Sequence, residues 1–140
     1  MKRYVRIVVK RDGKLLLLYQ KGLGRYLFVG GKVGDENPNE SWEDAAIREF
    51  REEVASQITD MVLISERVVT LDDDANRGMW LGRYYFAERI IGEPVNQEVD
   101  KHSDLSYWPC LPCEGMHRVT IDVIELVKNL PDTIIVPRES

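Results

Sequence analysis

The chain has 140 residues, of which 44% are hydrophobic and 31% charged, and its formal net charge is −5. That length suits one domain with its own core, and the acidic balance argues against binding nucleic-acid polymers or anionic membranes, which call for a basic surface. An anionic small substrate stays open, because a bound cation reverses the local sign.

The opening "MKRYVRIVVKRDGK" lacks the apolar core of a signal peptide, and "LLLLY" is far too short to span a bilayer. With two cysteines and no disulfide framework, the expectation is a cytoplasmic protein. "YVRIVV" predicts a strand, "KRDGK" an Asp-Gly turn and "KLLLLY" the strand that returns from it. A glycine-rich loop over residues 21–40 follows, broken by the short apolar run "YLFV". "SWEDAAIREFREEV" predicts the clearest helix, with Ser41 and Asp44 as a capping box.

"MVLISERVVT" and "MWLGRYYFAERI" predict two more strands, joined by "LDDDANRG". That joint imitates the start of a calcium loop. Its glycine falls one place late and Arg83 stands where a glutamate is needed, so it reads as a polar turn. "IGEPVNQEVDKHSD" reads as a loop and "LSYWPC" as a last strand. "MHRVTIDVIELVKNL" predicts an amphipathic helix with Val119, Val123, Leu126 and Val127 on its apolar face. The tail "PDTIIVPRES" carries little signal. Cys110 and Cys113, flanked by His102 and His117, match no zinc-finger spacing and read as loop cysteines. No repeat or linker interrupts the chain, which predicts a single α/β or α+β layered domain over residues 1–140.

The first helix has an unusual charge distribution. At about 100° per residue, Glu49, Glu52 and Glu53 share an arc of about 100°. Phe50, Ile47 and Val54 fall on the adjacent face, which suits a core. A solvated acidic face is the plain reading. Against it, Glu49 and Glu53 are like charges four apart, and the last turns of a helix favour cations. Arg48 and Arg51 point away from the arc on this reading. A hard divalent cation such as Mg²⁺ would resolve the conflict and would bridge to phosphates. Gly30 and Gly31 in "GGKV", just ahead of the helix, let backbone approach a ligand closely.

"GGKV…E…SWEDAAIREFREEVAS" resembles the Nudix box, over about residues 31–56. The family pattern is Gly, five residues, Glu, seven residues, then Arg-Glu-apolar-x-Glu-Glu-x-Gly-apolar. Glu40, Arg48, Glu49, Phe50, Glu52 and Glu53 match it in register. Two departures stand out. Gly34 satisfies the first spacing literally, but Gly31 with three extra residues after it is the preferred equivalent. Ala55 and Ser56 replace the Gly and the apolar residue at the end. A glycine there suits a left-handed cap, so the helix end, not the chemistry, is in question.

The resemblance implies an α/β/α sandwich, a mixed β-sheet between helices. It implies a hydrolase of nucleoside diphosphate-linked substrates that needs Mg²⁺, with Mn²⁺ as a substitute. It makes Glu49, Glu52 and Glu53 the metal ligands, Arg48 structural through an ion pair, and Glu40 an organiser of the helix start. Glu52 or Glu53 then helps deprotonate water. The alternative is an acid from the loop "NQEVDKHSDLSYW", where Glu98 and Lys101 resemble a loop of triphosphate-cleaving members and Val99 and His102 depart from it.

The stretch "GLGRYLFVGGKV" resembles members that act on oxidised purine nucleoside triphosphates. It makes Arg25, Tyr26, Leu27, Gly30, Gly31 and Lys32 candidate substrate contacts. Leu27 replaces a base-reading Asn, so that base preference does not carry over. Signatures of the ADP-ribose and NADH branches are absent, which favours a (deoxy)nucleoside triphosphate. ADP-ribose, a nucleotide sugar or a dinucleoside polyphosphate is the alternative, and a nucleotide-sensing module the third reading. Tyr26, Phe28, Trp80, Tyr84 and Trp108 are candidate stacking residues with core packing as the competing role. The expected partner is a small nucleotide. The sequence sets no oligomeric state and admits a homodimer.

Overall fold

The computed structural model describes residues 1–71, 76–110 and 118–139. Residues 72–75, Cys113, His117 and the side chain of Val119 lie outside the described residues. The elements are β1 (Lys2–Val8), β2 (Lys10–Arg11), β3 (Lys14–Gln20), β4 (Arg25–Leu27), β5 (Val29–Lys32), α1 (Trp42–Val54), β6 (Gln57–Leu71), β7 (Gly78–Ile91), β8 (His102–Pro109), α2 (Arg118–Val127) and β9 (Ile134–Val136).

The strands form two sheets. The mixed sheet runs β5-β1-β7-β6, with β9 also pairing β7; β1 and β7 are parallel, while β5 and β6 run antiparallel to their neighbours. The second sheet is antiparallel, β2-β3-β4 with β8 on the other side of β3. β1 is covered on both faces, and its β-branched residues suit that place. Val5 and Ile7 enter one core with Leu16, Leu18, Ala46, Phe50 and Val54. Tyr4 and Val8 enter the other with Leu15, Leu17, Phe28, Tyr84 and the α2 residues Val123, Ile124 and Val127. The sheets therefore lie between α1 and α2, as a sandwich.

Several expectations need correction. The Asp-Gly turn is there, with Asp12 at φ 53° and Gly13 at φ 74°, the pair of left-handed residues a tight hairpin needs. Its first arm is β2, however, because β1 belongs to the other sheet. "YLFV" is two strands, not one run, because the chain changes sheets between Leu27 and Val29. The inward face of α2 carries Ile124, and Leu126 is exposed. The tail contributes β9, whose register on β7 only the sheet defines.

Lys10 is buried, and its ammonium donates to the Val127, Lys128 and Leu130 carbonyls at 3.2, 2.8 and 2.6 Å. It thus satisfies the C-terminal end of α2, where a cation is favoured. The Cys110 thiol donates to the Gly13 carbonyl and forms no disulfide. Among the described residues no helix is long and apolar enough to cross a membrane.

Candidate active site

α1 starts where the sequence places it. Ser41 is extended, at φ −74° and ψ 163°, and its hydroxyl accepts the Asp44 N–H at 3.1 Å. Ala45, Ala46, Phe50 and Val54 fix the buried stripe, and that stripe sets the direction of the glutamates. The helix ends on Ala55, which is left-handed at φ 56° and ψ 34° and donates its N–H to the Arg51 carbonyl. The cap that glycine would suit is therefore built with alanine.

α1 meets the β5 edge of the mixed sheet closely. A Cβ on Gly31 would fall 2.5 Å from the Glu49 carboxyl carbon and push that carboxylate aside, and one on Gly30 would fall 1.9 Å from the Val5 carbonyl oxygen, so at Gly30 only glycine admits the approach. Gly34, the other box candidate, turns the chain at φ 82° and gives its N–H to Glu40 Oε1 at 3.2 Å. Gly30 donates its N–H to Glu53 Oε2 at 3.0 Å, which ties the helix to the strand edge.

Arg48 does not point away from the acidic arc. Its Nε and Nη2 clamp Glu40 at 2.7 and 3.0 Å, and Nη2 also reaches the Lys32 carbonyl at 3.0 Å. Nη1 then falls back across the arc onto Glu49 Oε1 at 2.9 Å and Glu52 Oε2 at 3.2 Å. The bond to Glu40 holds the guanidinium there, and it keeps the Glu40 carboxyl below the usual carboxylate range.

The other two inner carboxyls move the opposite way. Burial pushes Glu53 up to about 8, with Arg6 pulling it down and Glu49 and Glu98 raising it further. Burial also raises Glu49, against the pull of Arg48.

These groups line one cavity of about 410 Å³. Glu49, Glu52, Glu53 and Glu98 line it together with Gly30, Gly31, Lys32, Leu27 and Arg48. Glu40 stands behind Arg48. Lys101 pairs with Glu98 at 3.2 Å and also lines the cavity. His102 is there too, and burial lowers its pKa. Arg25 and Tyr26 are not among the lining residues. Arg25 is exposed at the start of β4, and alternation turns Tyr26 to the face opposite Leu27, where it packs on Tyr19 and Trp108. Of the stacking candidates, Trp80 and Tyr84 line the cavity, while Phe28 is fully buried in the core.

Among the described residues no three His, Cys, Asp or Glu side chains converge as a metal-binding group. The expected ligand triad is thus near but not drawn together. Glu49 and Glu52 share Arg48 Nη1, while Glu53 accepts from Gly30 instead. The donor set still fits a hard divalent cation, because Glu49, Glu52, Glu53 and Glu98 all bring carboxylate oxygens to the one cavity.

The sequence reading missed Tyr4 and Arg6 on β1 and Val69 and Leu71 on β6, all of which line the cavity. A signal for Arg6 was present. It sits at the inward position between Tyr4 and Val8 of an apolar strand, where a charge is rarely placed without a task.

The NUDIX domain family model matches residues 1–114, and the chain belongs to the Nudix family. It is similar to the MutT NUDIX hydrolase of Burkholderia pseudomallei, at 30% identity over 90% of this chain and 97% of that one, with a TM-score of 0.76. A MutT protein from Bacillus halodurans shares the fold at 20% identity, over 96% of this chain and 86% of its own, with a TM-score of 0.72. So does the NUDIX domain of NrtR from Shewanella oneidensis complexed with ADP ribose, at 20% identity, over 90% and 85%, with a TM-score of 0.64. No curated protein sequence matches the chain significantly. Family, sheets and box together make this chain a Nudix pyrophosphohydrolase.

Proposed function

We propose that this hydrolase cleaves nucleoside triphosphates to a monophosphate and pyrophosphate, with Mg²⁺, or Mn²⁺ in its place, held by Glu49, Glu52 and Glu53. One observation carries the reading. The cavity is acidic at its β5 end and lined by Tyr4, Trp80, Tyr84, Val69 and Leu71 toward β7 and β6. Phosphates neutralised by a cation suit the first end and a nucleoside the second.

A divalent cation bound there supplies charge neutralisation and acidifies water. The chain's own groups do the rest. Glu52 or Glu53, or Glu98 from the loop before β8, would take the proton of the attacking water, and all three line the cavity. Arg48 and Glu40 hold the helix carboxylates in place. Gly30 and Gly31 keep the floor low for the phosphates, Lys32 and Lys101 add positive charge to the lining, and Leu27 packs against the nucleoside. The presence of Glu98 and Lys101 in the cavity favours the triphosphate reading over the others.

The second reading is an ADP-ribose-type substrate, favoured by the bound ADP ribose in the NrtR domain of the same fold. A panel of nucleotides with product identification separates them. Monophosphate with pyrophosphate supports the first reading. Monophosphate with a sugar phosphate supports the second. Binding without any product supports a nucleotide-sensing role.

A further inference from the structure

We propose that Arg6 is the residue that seats the phosphate attached to the nucleoside, between the carboxylate end of the cavity and its aromatic end. The inference rests on the reading of this cavity as a nucleotide site. The strand register fixes the layout. Gly30 on β5 stands beside Arg6 on β1, which stands beside Tyr84 on β7, which stands beside Ser65 on β6. The glutamates crowd the β5 edge, and Trp80, Tyr84, Val69 and Leu71 belong to β7 and β6. A nucleotide laid across the strands therefore passes over β1 where phosphate gives way to sugar.

Arg6 is held for that place. Its Nη1 donates to the Phe28 carbonyl at 3.1 Å, and its guanidinium lies 5.7 Å from the centre of the Tyr4 ring. Those contacts fix the plane of the group and use one of its five N–H donors. Among the described residues it pairs with no carboxylate within ion-pair distance, although its charge is felt at both Glu49 and Glu53. A planar cation with spare donors, beside a glycine strand and an aromatic wall, matches a phosphate oxygen pair. A contact to that phosphate carries no base preference, because every nucleotide carries the same phosphate.

Equilibrium binding of adenosine and guanosine, and of their 5′-monophosphates, to the metal-free full chain tests the assignment. Wild type, Arg6→Gln and Arg6→Lys are compared, with melting temperature as the check on folding. Both monophosphates should bind about 10- to 100-fold more weakly to Arg6→Gln, by the loss of charge-assisted hydrogen bonds, with the nucleosides unchanged. Arg6→Lys should recover part of the loss. In turnover, KM should rise for every base while the ranking of bases stays the same. Three results overturn the assignment: monophosphates that bind Arg6→Gln as tightly as wild type, nucleosides that weaken equally with them, or a wild type that binds no monophosphate. A wild type that binds monophosphates through Arg6 but hydrolyses no nucleotide overturns the proposed function and leaves this assignment standing.

Discussion

Glu53 accepts the backbone N–H of Gly30 at 3.0 Å from a position that is only 7% exposed. One hydrogen bond thus joins α1 to the edge strand, and the carboxyl that makes it is forced out of water. Its pKa rises to about 8 for that reason. The folded, metal-free protein holds a proton on Glu53 that the unfolded chain gives up at about 4.5. The contribution of Glu53 to stability is therefore fully present below about 4.5 and is lost as pH rises through about 8. Glu49 shifts in the same direction. In chelator, the melting temperature should fall between pH 5 and pH 8, and Glu53→Gln should flatten that fall. A wild-type melting temperature that rises over this range would contradict the assignment.

The Arg48 clamp gives a second prediction. Its guanidinium serves Glu40, Glu49, Glu52 and the Lys32 carbonyl at once. Arg48→Ala leaves those carboxylates without their cation and should destabilise by about 2–4 kcal/mol. Arg48→Lys should recover little, since a point charge cannot reproduce the fork. Urea unfolding measures both. A loss below about 0.5 kcal/mol would show the clamp to be an ordinary surface ion pair.

A third prediction concerns Ala55. Its left-handed backbone costs an L-residue with a Cβ about 1 kcal/mol, and glycine is free of that cost. Ala55→Gly should stabilise by at most about 0.6 kcal/mol, once the greater entropy of glycine in the unfolded chain, about 0.4–1 kcal/mol, is taken from that cost. Activity should not change. Destabilisation by the glycine would mean the cap has a different conformation in solution.

What the sequence made legible was whatever depends on local period. The 3.6-residue repeat placed Phe50 and Val54 inward and so aimed Glu49, Glu52 and Glu53, and Ser41 marked the helix start. What it hid depends on partners far away in the chain. The Asp-Gly turn gives the sense of a hairpin, but not that β1 leaves it for the other sheet. The direction of Arg48 depends on Glu40, one element earlier, and the partners of Lys10 lie more than 100 residues on. Arg6 was visible only as a charge in the wrong register. The site needed β1, β5, β6 and β7 side by side before its aromatic end existed.

A fourth prediction is that Leu27 shapes nucleoside fit without reading the base. It is 5% exposed and packs in the core beneath the cavity. Leu27→Ala should raise KM for all nucleotides and cost about 2–4 kcal/mol of stability. Steady-state kinetics across four bases checks this. A change confined to one base would make Leu27 a base selector.

The most direct measurement of the central claim is pyrophosphate release from nucleoside triphosphates with and without Mg²⁺, by wild type and by Glu52→Gln/Glu53→Gln. Wild type should release monophosphate and pyrophosphate only with the cation. The double variant, folded by melting temperature, should lose about 10³-fold or more in kcat and gain no thermal stabilisation from Mg²⁺. Equal turnover by the double variant, or no product from any triphosphate with wild type, would contradict the account.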